Sequence, residues 1–258
     1  MEKLMIDHND INGVKMLISL SILEYEPELS ENMGEIKKTK AFNNIVKIVQ
    51  TGKINSVHID VMRPPMIPGK ESFPVNLIKI LFEELHRKIP LTIHLMVSDP
   101  IKMIEEINCF IPEEERGKTT IILQVESFNA DEETISAVET VRQFGYKVGV
   151  ALNLPTPIER MTNRIVERAD IILLMSVPMG AGGQKFSNEA TRRIKHFSTS
   201  FPNKIISVDG GINPQTIVEI YKAGANVAVV GSYITTSERP EEALLALEKP
   251  LKKFKEKR

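Results

Sequence analysis

Four residues able to do chemistry interrupt apolar runs of the sequence: His58 and Asp60 in VHIDVM (residues 57–62), His94 in IHLM and Asp209 in SVDGG. Each run is short and rich in β-branched residues, the mark of a strand. Side chains of a strand alternate between faces, so His58 and Asp60 point one way while Val57, Ile59 and Val61 point the other. Two imidazoles and two carboxylates form a mixed nitrogen and oxygen donor set that suits Zn, Fe(II), Mn or Co without choosing among them. The ordinary reading of one strand histidine is a satisfied core residue. Four such groups are harder to absorb that way, because a buried carboxylate without a partner is costly. Both readings stay open at this point.

Two further groups accompany them. Glycines recur in GAGGQKF (residues 180–186, with Gly180, Gly182, Gly183 and Gln184), in DGGI (Gly210 and Gly211) and in the pair Gly231 and Ser232. Loops of this kind let backbone N–H groups approach a phosphate that a Cβ would hold away. Any one of them is equally an ordinary tight turn. Met62, Met96 and Met175 stand at strand ends, where they are core filler or a soft wall that keeps water from a polar site.

The elements that must position these groups alternate along the whole chain. Eight apolar runs read as strands: KMLISLSI, INSVHIDVM, LTIHLMV, TTIILQVE, KVGVALN, DIILLMSV, KIISVDG and NVAVVGS. Helical patterns such as PVNLIKILFEELHRK, DEETISAVETVRQFG and PQTIVEIYKAGA separate them. In the last, Asn213 is the expected N-cap, Pro214 opens the first turn and Gly224 closes the helix. Eight strands each followed by a helix predict an α/β fold, a single (β/α)8 barrel spanning residues 1–258, with an N-terminal extension over 1–15 and a charged, solvated tail over 249–258. The alternative is an open doubly wound sheet, which lacks its glycine-rich fingerprint after the first strand. The polar stretch after the first strand makes the first helix the weakest pattern. In a barrel the four chemical groups and the glycine loops meet at the C-terminal mouth.

Composition narrows the partners. The 258 residues carry 33 basic and 34 acidic side chains, so no net field favours nucleic acid or an anionic membrane surface. No apolar run reaches spanning length. The single cysteine, Cys109, excludes an intrachain disulfide, fits a reducing, cytoplasmic setting and is expected to be a core thiol. His8, His86 and His196 fall in the polar N-terminus or on predicted helix surfaces and are assigned no function.

Taken together, LSIL (residues 20–23), HIDVM, IHLMVSDP, GVALNLPTP, LLMSVPMGAGGQKF, VDGGIN and AGANVAVVGS resemble the ribulose-phosphate 3-epimerase family, from about residue 18 to 237. The resemblance implies a barrel enzyme that interconverts D-ribulose 5-phosphate and D-xylulose 5-phosphate. It implies that His58, Asp60, His94 and Asp209 hold one divalent metal and that Asp60 and Asp209 are also the acid and base. It further implies that Ser21 contacts substrate, that Met62, Met96 and Met175 line the site, and that the glycine loops, Gln184 and Ser232 take the phosphate. Inverting a carbon beside a carbonyl needs a proton removed from one face and returned to the other through a metal-stabilised enediolate, which two carboxylates can manage. Homo-oligomeric assembly is implied by the family alone.

The sequence departs from the family pattern in three loops. DVM is followed by Arg63 and Pro64 where the family has an acidic residue and a glycine. Gln124 replaces a strand-four histidine while Glu126 remains, and loop six reads SVPMGAGGQ without the usual Asn and aromatic. Arg63 is read either as a packed surface residue or as a partner of substrate. The altered loops leave as alternatives a hexulose phosphate such as D-allulose 6-phosphate, or a sugar-phosphate-binding barrel without turnover. A metal-free phosphate-binding barrel would leave His58 and His94 without a role.

Overall fold

In the computed structural model, residues 16–255 are described. The expected extension over residues 1–15, with His8, lies outside them. Eight parallel strands close into a barrel: β1 (Leu17–Ser21), β2 (Ser56–Met62), β3 (Leu91–Met96), β4 (Thr119–Gln124), β5 (Lys147–Leu152), β6 (Ile171–Met175), β7 (Ile205–Asp209) and β8 (Val227–Val230). Each run read as a strand is one. Closure is made by β1 pairing with β8, Leu17 opposite Val227 and Leu20 opposite Val230, which excludes the open sheet.

Strand alternation sorts the side chains as the sequence requires. Val57, Ile59 and Val61 face outward into a continuous core shared with Leu77, Ile78 and Leu81 of the following helix. Burying each of these contributes roughly 1.5–3 kcal/mol. The opposite parity fills the lumen, where Ile122, Ala151, Leu173, Met175 and Val229 form a separate apolar plug. Above that plug stand Ser21, His58, Asp60, His94 and Asp209. Register makes them neighbours: Ser21 lies opposite His58, Asp60 opposite His94, and Met175 opposite Asp209.

The polar stretch after β1 folds as a 3-10 turn (Leu23–Tyr25), α1 (Glu26–Glu31), a second 3-10 segment and α2 (Lys40–Gln50), whose N-cap Thr39 accepts from Phe42 N at 3.1 Å. The helices α3 (Val75–Leu85), α4 (Pro100–Asn108), α5 (Glu113–Arg116), α6 (Asp131–Gln143), α7 (Asn163–Arg168), α8 (Asn188–Ser200), α9 (Thr216–Ala223), α10 (Ser232–Thr235) and α11 (Pro240–Lys255) follow in order.

One expectation is corrected, that of a core thiol. Helix α9 runs over Thr216–Ala223. Asn213 caps it, its Oδ1 accepting from Gln215 N at 2.9 Å and Thr216 N at 3.1 Å, and Gly224 ends it at φ 104°. Cys109 is exposed, not core. The inward face of α4 and its continuation is set by Ile104, Ile107 and Ile111, and Cys109 falls on the far side of that spacing. The chain stays helical as far as Lys255, with Leu251 buried on the barrel and Lys252 and Lys253 exposed to water.

Candidate active site and metal centre

Asp60 is the hub of the barrel mouth. Its Oδ2 accepts from Ser21 Oγ at 2.8 Å, and its Oδ1 lies 3.1 Å from His58 Nε2 and 3.2 Å from His94 Nδ1. Both imidazoles are fully buried, with ring centroids 5.5 Å apart and nearly edge to face. One donor atom from each of His58, Asp60, His94 and Asp209 falls within 4.8 Å of the others. The far nitrogens, His58 Nδ1 and His94 Nε2, are buried without a hydrogen-bond partner among the described residues. A cluster present only for packing has no reason to bury two imidazoles so incompletely satisfied. Two imidazoles and two carboxylates brought to one point therefore fit a divalent cation, and they are the residues that would hold it.

The two carboxylates are driven apart in acidity. Burial raises the Asp60 carboxyl, but the charge of His58 and hydrogen bonds from both imidazoles outweigh it and hold the group well below the usual carboxylate range. Asp209 is pushed up to about 7 by burial and by the charge of Asp60, with His58 opposing. Burial works against charging His58, yet Asp60 lifts it above its ordinary value; burial wins at His94 and lowers it. The mouth thus sets one carboxyl well below the ordinary range beside another well above it.

Every residue assigned above to substrate lines one cavity at this mouth. Met62, Met96 and Met175 form its apolar side, and Ser21, Asp60 and Asp209 its polar floor. Gly180, Gly182, Gly183 and Gln184 from the β6 loop, Gly210 and Gly211 from the β7 loop, and Gly231 and Ser232 after β8 form the rim. Gly211 shows why glycine is required: its φ is +60°, and a Cβ there would stand 2.5 Å from Phe186 N. Gln184 is turned back on its own loop, donating to Pro178 O at 2.7 Å and Ala181 O at 2.9 Å.

The three undecided residues lie outside that cavity and hold up its walls. Arg63 is half-buried. Its Nη1 donates to Met62 O at 2.7 Å and to Ser72 O, and its Nη2 to Phe73 O at 2.9 Å, so the guanidinium pins the β2 loop to itself. Ser72 completes that clamp, its Oγ donating to Asp60 O at 2.5 Å and accepting from Met62 N at 3.0 Å. Gln124 is fully buried beside the sulfurs of Met175 and Met179. The amide orientation that satisfies both its ends donates to Glu126 Oε2 at 3.1 Å and Ala151 O at 3.0 Å. Glu126 Oε1 in turn accepts from Asn153 N, whose Oδ1 accepts from Met179 N, each at 2.9 Å. This chain of contacts props the β6 loop from beneath.

One charged residue of the cavity escapes the sequence reading. Glu24, in the 3-10 turn after β1, reaches into the mouth, where its Oε2 accepts from Thr235 Oγ1 at 2.9 Å. Burial, partly opposed by Thr235, raises its carboxyl above the ordinary value. The polar run EYEPELSE gave no sign of it, since such a run ordinarily marks a solvated loop.

A closed parallel barrel with two carboxylates and a glycine rim at its C-terminal mouth has the form of a barrel enzyme of small-molecule chemistry. Residues 36–235 match the model of the ribulose-phosphate 3 epimerase family. The chain is 29% identical over 201 residues to ribulose-phosphate 3-epimerase of Bacillus subtilis, covering 75% of this chain and 86% of that protein. It is 30% identical over 203 residues to the enzyme of that name from Synechocystis, covering 77% and 84%. Among solved structures, 3-hexulose-6-phosphate synthase from Salmonella typhimurium superposes with a TM-score of 0.64 at 17% identity, over 92% of this chain and 99% of that one, a likeness of fold. The chain belongs to the ribulose-phosphate 3-epimerase family, a family of isomerases. Among the described residues no helix is long and apolar enough to cross a membrane.

Proposed function

We propose that this protein is a metal-dependent 3-epimerase of a ketose phosphate, with D-ribulose 5-phosphate and D-xylulose 5-phosphate as its substrate pair. The observation that carries the reading is the pair Asp60 and Asp209: two carboxylates brought into one donor set with two buried imidazoles. Two carboxylates at one site can divide the work of base and acid. In one direction the ionised carboxylate takes the proton from C3 and the protonated one returns a proton to the opposite face; in the other direction the roles exchange. His58, Asp60, His94 and Asp209 would hold a divalent cation, which supplies Lewis acidity for the negative charge that develops beside the reacting carbon.

The chain's own residues do the rest. Ser21, by donating to Asp60 Oδ2, fixes the carboxylate and stabilises its ionised form. The sulfur-bearing wall of Met62 and Met96, packed with Ile67, excludes water from the reacting carbon. The glycine rim offers backbone N–H groups to the phosphate end. The homologues named above support the pentulose over a hexulose.

The test is NMR of metal-loaded protein with D-ribulose 5-phosphate in D2O, beside Asp209→Asn. Xylulose 5-phosphate carrying deuterium at C3, lost in the variant, is the expected result. Absence of exchange and epimer with metal bound would refute the pentulose assignment, and the same assay on D-allulose 6-phosphate then separates a hexulose enzyme from a binder without turnover.

A further inference from the structure

The glycine rim already contains a carboxyl group. Glu24 projects from the turn after β1 to the junction of the β6 and β8 loops. A Cβ built on Gly182 would stand 2.2 Å from Glu24 Oε1, and one on Gly231 would stand 3.2 Å from Glu24 Oε2 and 3.4 Å from Ser21 Oγ. The space that these two glycines leave open is therefore the space that the two carboxylate oxygens fill. Thr235, one turn into the segment that follows Gly231, holds Oε2 in place at 2.9 Å. Lys70 reaches across the same edge of the mouth to donate to Gly180 O at 2.7 Å, and its charge bears on Glu24.

We propose that Glu24 is a specificity-determining residue that occupies the phosphate cradle, so that a substrate phosphate must displace its carboxylate to enter. This rests on the reading of the rim as the phosphate site. Two like charges desolvated side by side disfavour each other, and the occupant that leaves must be replaced by one making better contacts. Free phosphate has only the cradle to offer and is rejected. A sugar phosphate brings the contacts of its whole chain, and those contacts supply what displacement costs. The cradle thus sets a threshold, common to both, that a substrate with further contacts clears and the bare anion does not.

The experiment uses the full-length, metal-loaded protein with Glu24→Gln and Glu24→Ser. Glu24→Gln keeps the side chain's volume and its contact with Thr235 while removing the charge; Glu24→Ser empties the cradle. Binding of inorganic phosphate is measured by calorimetry, and KM for D-ribulose 5-phosphate by epimer formation. The expected result is inorganic phosphate binding at least tenfold tighter to Glu24→Ser than to wild type, with Glu24→Gln also tighter, and a lower KM for the sugar phosphate in both. Tenfold corresponds to about 1.4 kcal/mol. D-Ribulose without its phosphate, used as a competing ligand, should bind all three proteins alike. Equal phosphate affinity in all three, or weaker binding in the variants, overturns the proposal. If phosphate affinity rises as expected while none of the three turns over D-ribulose 5-phosphate, Glu24 guards the cradle and it is the assigned substrate that falls.

Discussion

The weakened acidity of Asp209 makes a thermodynamic demand that can be measured without substrate. Its ordinary value is 3.8, and in the folded mouth it is pushed up to about 7. A group whose folded value is raised stabilises the fold fully below its unfolded value, and that stability is lost as pH rises through the folded value. The window for Asp209 is therefore about pH 4 to 7. Asp60, shifted the other way, acts only at lower pH, where its contribution is lost as pH falls. The gap between 3.8 and about 7 is roughly three pH units, worth ~4 kcal/mol at about 1.36 kcal/mol per unit. Asp209 is only half-buried at an open mouth, so water screens part of this, and about 2–4 kcal/mol is the expected range. Asparagine at position 209 has the same shape and no proton to lose. In denaturant titrations with a chelator present, metal-free wild type should lose this much relative to Asp209→Asn between pH 4 and pH 8. Adding a divalent cation should remove the difference in slope, because the cation takes the place of the proton. Parallel pH profiles for the two metal-free proteins would refute the claim that burial and Asp60 hold the proton on Asp209.

Other consequences are equally direct. Arg63→Ala removes the donor to the carbonyls of Met62, Ser72 and Phe73 and should cost roughly 2–3 kcal/mol by denaturant unfolding; Arg63→Lys should not restore it, since an ammonium cannot span that planar array. Gly211→Ala drives a Cβ into Phe186 N at a backbone φ of +60°, and KM for the sugar phosphate should rise at least tenfold while circular dichroism keeps its native form. Cys109, being exposed, should react stoichiometrically with a thiol reagent in the native protein, and epimer formation should survive the modification.

Strand positions and the residues they aim into the lumen were legible because period two is a local property, and β2 states it in seven residues. From parity alone His58, Asp60 and Met62 share a face, and closing the barrel turns that face toward His94 and Asp209. What depends on a loop's path was not legible. Arg63 binds carbonyls nine and ten residues away, at Ser72 and Phe73, which only the folded-back β2 loop brings near. Glu24 lies in a polar run whose pattern says solvent, and it enters the mouth because the chain turns in a 3-10 segment immediately after β1. Cys109 was misjudged for a related reason: a nine-residue helix gives too few repeats to fix its phase, so a small apolar residue near its end can fall on either side.

The sulfur wall has an inner and an outer layer. Met62, Met96 and Met175 are buried against the site, while Met66 and Met179 cover them and remain half exposed. A thioether oxidised to its sulfoxide becomes polar, and the change can be reversed enzymatically. An oxidant arriving from solvent therefore meets Met66 and Met179 first, and both can be converted and repaired before the sulfurs nearest the reacting carbon are touched. The order of susceptibility follows the order of burial.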